Sequence, residues 1–266
     1  MWNIFKRKPL LSDEDFLFQM ECFKWLLRNY GGNAFYNETN LVLPTKEFFP
    51  GSADTPSEMA EMVFSHVRKH AGMEEWPCEL EAQEPDPERR VAPTLAVQGG
   101  EYSPLGTFSA ESSKKIVITY NPSIVGNSTQ LIATFAHELA HYLTGACTEE
   151  PPGGWDNWEF ATDIAAVFMG FGIFQANSAF NFTQYTDVDS QGWSSSRSGY
   201  LSEGEFSFAL AVFIKLKNID PNEVYPHLKR NIKSYVKKAL LELEEAEEYK
   251  ELLNTECASE THNNGN

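Results

Sequence analysis

The stretch from Asn127 to Gly145, NSTQLIATFAHELAHYLTG, contains the pentapeptide His137-Glu138-Leu139-Ala140-His141. On a helix, residues four apart lie one above the other on the same face, so His137 and His141 can present two imidazoles to one metal ion. Glu138 stands beside them, placed to take a proton from a water on that metal. The flanks fit a helix. Asn127 or Ser128 can cap its start and Gly145 can end it. Leu131, Ile132, Phe135, Leu139 and Leu143 supply apolar positions at helical spacing.

A catalytic zinc ion takes three protein ligands and keeps one position open. The spacing therefore asks for a third ligand. Glu159 opens the next helical stretch, and Asp163 follows at i+4 on the same face. In that reading Glu159 binds the metal, while Asp163 accepts the free ring N–H of one histidine and fixes its tautomer. The helix dipole favours acids at a helix start. It explains Glu159 but not Asp163, which stands among Ala161, Ile164 and Ala165. Three rivals exist. Cys147 occupies the third-histidine position of H-E-x-x-H-x-x-G-x-x-H, but Thr144 stands where that pattern needs glycine. Glu149 or Glu150 lies in the connection, and the distant His227 follows Pro226.

Composition narrows the partners. The chain has 266 residues and a formal net charge of −17, with 42% hydrophobic and 13% aromatic residues. That is the make-up of a globular protein. The negative charge argues against nucleic acid, which needs clustered Lys and Arg, and against docking on an anionic membrane. The acidic stretches Glu74–Glu88 and Glu242–Glu251 read as solvated faces. The four cysteines form no CxxC pair and suggest no disulfide framework. The N-terminus has Lys6, Arg7 and Lys8 but no apolar run after them, so it does not read as a secretory signal. The longest apolar run, Ile164–Phe174, is too short for a membrane span. The expectation is a cytoplasmic protein of unknown oligomeric state.

Along the chain, Ser12 and Asp15 mark the start of a helix to Tyr30, with Phe16, Met20, Phe23, Leu27 and Tyr30 on one face and Gly31 as its stop. Residues 40–50 read as a short extended piece broken by Pro44. Thr55 and Pro56 open a helix to His70, with Met59, Met62, Val63 and Val67 as its buried stripe. Residues 76–83 form a candidate strand. Residues 84–93 are too rich in proline and charge for regular structure. Residues 94–122 read as strand, turn, loop and strand, the last being Lys115–Tyr120 with its β-branched run. A helix is expected over Asn157–Phe174, with small residues at Ala161, Ala165, Ala166, Gly170 and Gly172 that let another element approach. Residues 175–200 lack clear periodicity and read as either a long functional loop or a locally mobile segment. Ser202 with Glu205 opens a helix to Leu216. The last helix starts at Asp220-Pro221, with a break near Pro226, and ends near Leu253. The tail from Asn254 reads as disordered.

H-E-L-A-H followed by E-x-x-x-D on the next helix resembles the gluzincin metallopeptidases. The small sheet, the strand KIVITY and the motif helix resemble the compact minigluzincin and ImmA/IrrE-type proteins. The resemblance covers roughly residues 110–175. It implies an α+β, zincin-like fold in which a small mixed sheet packs on the motif helix and on a second glutamate-bearing helix, with additional C-terminal helices. It implies one domain over 1–253: a helical and sheet part at 1–126, metal-binding helices at 127–176, and a loop with C-terminal helices at 177–253. It further implies Zn2+ on His137, His141 and Glu159, Glu138 as general base, Asp163 behind the ligands, and an extended peptide or protein substrate along the edge of strand 115–120. Such enzymes use a Tyr or His to stabilise the oxyanion. Tyr200 is the first choice, with His227, Tyr185 and Arg197 as rivals. An alternative is a metal-binding regulatory or sensor protein that acts on one protein partner.

Overall fold

In the computed structural model, residues 8–83, 106–111, 115–186 and 201–257 are described. The proline-rich 84–105 stretch, the 187–200 segment and the tail from 258 lie outside these residues, and with them Arg197 and Tyr200.

The first helix, α1 (Asp13–Tyr30), begins where Ser12 Oγ accepts the Asp15 N–H at 3.1 Å. It ends where the Gly31 N–H reaches Leu27 O. Met20, Phe23 and Leu27 are buried as their spacing predicts, joined by Trp25 and Leu26. In α2 (Pro56–His70), Thr55 and Glu58 form the reciprocal capping box. Its buried face is rotated from the predicted stripe. Ala60, Val63, Phe64 and Val67 are buried, while Met59 is only half-buried. Phe64 is what turns the helix, because its ring packs edge-on against Phe135 at 5.1 Å between centroids.

A three-stranded sheet follows, built from β1 (Glu79–Ala82), β2 (Gly106–Glu111) and β3 (Lys115–Tyr120) in the order β1-β3-β2. β1 runs parallel to β3 and β2 antiparallel to it. This corrects the expectation for strand 115–120. β3 is the central strand, so both of its edges are paired, and among the described residues β1 and β2 are the outer strands. Its side chains alternate as a half-buried strand requires, with Ile118 and Tyr120 turned inward.

The motif helix, α3 (Ser128–Gly145), is capped by Asn127, whose side chain accepts the Gln130 N–H. Every residue from Gln130 to His141 is buried. A helix buried all round lies in the middle of a core rather than on its surface. Phe64 of α2 and Tyr120 of β3 both meet Phe135 on it.

The predicted helix over 157–174 is two helices. α4 (Trp158–Ala166) runs into a π-turn at Val167–Phe171, and α5 (Gly172–Thr186) continues beyond it. The break sits at Gly170, with φ +99°. There the Gly170 carbonyl accepts the Val42 N–H at 3.0 Å, and a side chain would strike Asn40 O. The extended 40–43 segment thus docks onto the helix backbone, which only glycine permits. α5 also extends through residues 175–186, part of the stretch expected to be a loop. No 3.6-residue apolar stripe marks that part of the sequence.

α6 (Glu203–Leu216) opens with the Ser202/Glu205 capping box and is buried from Phe206 to Ile214. It comes close to Gly172, where an added Cβ would meet Leu210. α7 (Pro221–Val224), a short 3-10 turn (Tyr225–His227), α8 (Arg230–Glu245) and α9 (Glu247–Leu253) complete the chain. α8 lays Ile232, Val236, Ala239, Leu240 and Leu243 inward at helical spacing. The result is a mostly helical α+β arrangement with one small mixed sheet. Among the described residues no helix is long and apolar enough to cross a membrane.

Candidate metal centre

One turn of α3 separates His137 from His141, and both rings point toward the first turn of α4. Their Nε2 atoms lie 3.0 Å apart. Glu159 Oε2 lies 3.5 Å from His137 Nε2 and 3.3 Å from His141 Nε2. A tetrahedral ion held at about 2.0–2.1 Å from each ligand spaces those ligand atoms by about 3.3–3.4 Å. The three atoms therefore already form one face of such a tetrahedron. Two imidazole nitrogens and a carboxylate are also a donor set suited to a divalent transition metal. His137, His141 and Glu159 can hold a metal ion. The histidines are buried, while the Glu159 side chain is 46% exposed, so the site opens to solvent on the carboxylate side.

Behind His137, its Nδ1 lies 2.9 Å from Asp163 Oδ1. Asp163 is fully enclosed, and its second oxygen accepts the Leu201 N–H at 2.8 Å. With Nδ1–H donated to a carboxylate, Nε2 is the His137 nitrogen that faces the metal position, and it offers a lone pair there once its own proton has left.

The charges divide the two histidines. Burial alone would lower the pKa of His137, but hydrogen bonds to Asp163 and Glu159 outweigh it and carry the ring up to about 10. His141 is lowered, chiefly by burial and also by the charge on His137, with Glu159 opposing. Burial would raise Glu159, yet its bonds to the two histidines hold it well below the usual carboxylate range. Asp163 is raised because its burial exceeds the help from His137 and the Leu201 N–H. Glu138 is raised to about 7, mainly by burial, with His137 opposing and Glu159 adding to it. A carboxylate poised near neutrality can both take and return a proton.

A second set of contacts fastens α4 to α3. The Trp158 indole N–H donates to Thr144 Oγ1 at 2.9 Å, and the Trp158 ring meets the His141 ring edge-on at 4.8 Å. Thr144 Oγ1 lies 3.3 Å from Thr162 Oγ1, which is 3.4 Å from His141 Nδ1. Glu159 is the residue after Trp158, so this clamp sets where its carboxylate can reach. Trp158, Thr162 and Leu201 did not stand out in the sequence, whereas Thr144 was visible there as the departure from the glycine-bearing pattern.

The rivals to Glu159 are engaged elsewhere. The Cys147 thiol lies 3.3 Å from the Tyr30 hydroxyl, which itself donates to Leu143 O at 2.6 Å. Glu149 lies 3.9 Å from Arg28, and Glu150 accepts the Trp155 indole N–H. His227 is in the 3-10 turn after α7, where its backbone carbonyl accepts from Asn177. Of the oxyanion candidates, Tyr200 and Arg197 fall outside the described residues, and Tyr185 lies in the last turn of α5.

No protein-family model, no curated protein sequence and no solved structure matches this chain.

Proposed function

We propose that the chain is a zinc-dependent peptidase of gluzincin type, with a zincin-like arrangement of α3, α4 and the small sheet. The observation that carries this reading is the convergence of His137 Nε2, His141 Nε2 and Glu159 Oε2 at tetrahedral spacing, next to the buried carboxylate of Glu138. Zinc bound there would supply Lewis acidity, lowering the pKa of a water and polarising a substrate carbonyl. Glu138 would accept a proton from the attacking water and pass it to the departing amine, a task that suits a carboxyl raised to about 7. Asp163 would hold the His137 ring in the tautomer that offers Nε2. Tyr200 is proposed as the donor to the developing oxyanion, because the Leu201 N–H beside it in the chain is tied to Asp163. An extended peptide would pair with one of the outer strands, β1 or β2, since both edges of β3 are already used.

The test is zinc content together with hydrolysis of a diverse peptide library. Wild type should bind one zinc and cleave peptides. Glu138→Gln should keep the zinc and lose cleavage. Zinc binding without cleavage by wild type would replace this reading with the regulatory, partner-specific one. Cleavage at the wild-type rate by Glu138→Gln would remove the general base.

A further inference from the structure

α8 carries its charges in the order opposite to the one a helix favours. Lys229, at its N-cap, and Arg230, Lys233, Lys237 and Lys238 stand in its first part, and Glu242, Glu244 and Glu245 close it. The positive end of the helix dipole thus meets cations and the negative end meets acids, each at a cost to the isolated helix.

Ile232, Val236, Ala239, Leu240 and Leu243 fix the inward face. The outward face is one exposed stripe: Arg230, Ser234, Lys237, Leu241, Glu244 and Glu245. Leu241 is 50% exposed in its middle. Lys237 lies one turn before it and Glu245 one turn after, so the three share a face. Their neighbours are neutralised within the chain, Lys238 at 4.0 Å from Glu242 and Lys215 at 3.6 Å from Glu244. Among the described residues Lys237 and Glu245 have no ion-pair partner. Lys237 Nζ lies 5.0 Å from the centre of the Tyr225 ring, a contact that steadies the cation without neutralising it.

The stripe reads cation, leucine, acid. Turned end for end it reads acid, leucine, cation, which is its own complement. A second α8 laid antiparallel, Leu241 against Leu241, brings Lys237 of each copy to Glu245 of the other. A parallel copy would set like charge on like charge, and an unrelated acidic helix would match only the first half.

We infer that the outer face of α8 is a two-fold contact between two copies of this chain, centred on Leu241. The inference uses no part of the metal centre. The net charge of −17 repels two copies at long range. Salt screens that repulsion beyond about 8 Å at physiological ionic strength, whereas the ion pairs act at contact. Exposed ion pairs contribute little each, so the dimer is weak and depends on concentration.

The experiment is sedimentation equilibrium of the full chain over a concentration series at physiological ionic strength. Wild type should move from monomer to dimer mass as concentration rises. Lys237→Glu and Glu245→Lys each set like charges together at both pairs and should lose the dimer. Mixed in equal amounts, the two variants are complementary at both pairs and should form a heterodimer. Leu241→Ser should also lose the dimer. Wild type that stays monomeric throughout overturns the inference. A dimer that survives Lys237→Glu and Leu241→Ser unchanged lies elsewhere on the surface and overturns it too. Two monomeric charge variants that stay monomeric on mixing overturn the antiparallel pairing.

Discussion

Asp163 holds His137 and Leu201 at once: Oδ1 lies 2.9 Å from His137 Nδ1, and Oδ2 accepts the Leu201 N–H at 2.8 Å. One buried carboxylate on α4 thus orients an imidazole of the candidate metal centre on α3 and anchors the start of the segment that leads into α6.

Asp163→Asn keeps the shape but removes the charge that favours the imidazole N–H. Zinc affinity should fall about 10–100-fold. Asp163→Ala also leaves the buried Leu201 N–H without this acceptor, at a cost of about 1–3 kcal/mol. Chelator competition and urea unfolding read the two effects separately. Unchanged affinity in Asp163→Asn would show that the carboxylate does not act through His137.

Glu159 is the one ligand candidate that reaches the site from α4. Glu159→Ala should lower zinc affinity by more than about 100-fold, beyond the loss expected for a partner behind a ligand. Elemental analysis after dialysis checks it. A Glu159→Ala protein that retains its zinc would reject this carboxylate as the third ligand and reopen the choice.

Proton release on metal binding tests the His137 environment. In the metal-free protein His137 rises to about 10 and is protonated at pH 8, whereas Glu138, at about 7, is not. An imidazole must be neutral to bind the metal, so zinc should expel close to one proton at that pH. The linkage has a definite sign. The folded-state pKa is above the 6.5 of a free imidazole, so the stability from this proton is full below pH 6.5. It is lost as pH rises through about 10. Calorimetry in buffers of different ionisation enthalpy measures the released proton. Zero release at pH 8 would contradict the Asp163–His137–Glu159 arrangement.

Gly170→Ala should destabilise the fold. Its φ of +99° strains any side chain, and the added Cβ would strike the Asn40 carbonyl. The backbone conformation alone costs about 1–3 kcal/mol, and the collision adds to it. Gly172→Ala meets only the side chains of Leu210 and Val167, which can shift, and should cost less. Equal thermal stability of wild type and Gly170→Ala would mean that the 40–43 segment does not pack tightly there.

The sequence determined what is local. Helix starts were legible because a cap needs only its own next residues: Ser12, Thr55, Asn127, and Ser202 with Glu205 all act as their spacing foretold. The two histidines on one face, and Glu159 and Asp163 on another, follow from helix periodicity. Bringing those faces together is a different matter. The site needs α3 buried on all sides, α4 clamped to it through Trp158, Thr144 and Thr162, and Leu201 returned to Asp163 from far along the chain. The break at Gly170 depends on residues 40–43, and the central place of β3 depends on β1 reaching it in parallel. Cys147 lost its place as a ligand candidate to Tyr30 of α1. These are contacts between residues far apart in the chain. Periodicity and caps carry no record of them, because their energies come from packing, steric exclusion and hydrogen bonds that exist only once the chain has closed on itself.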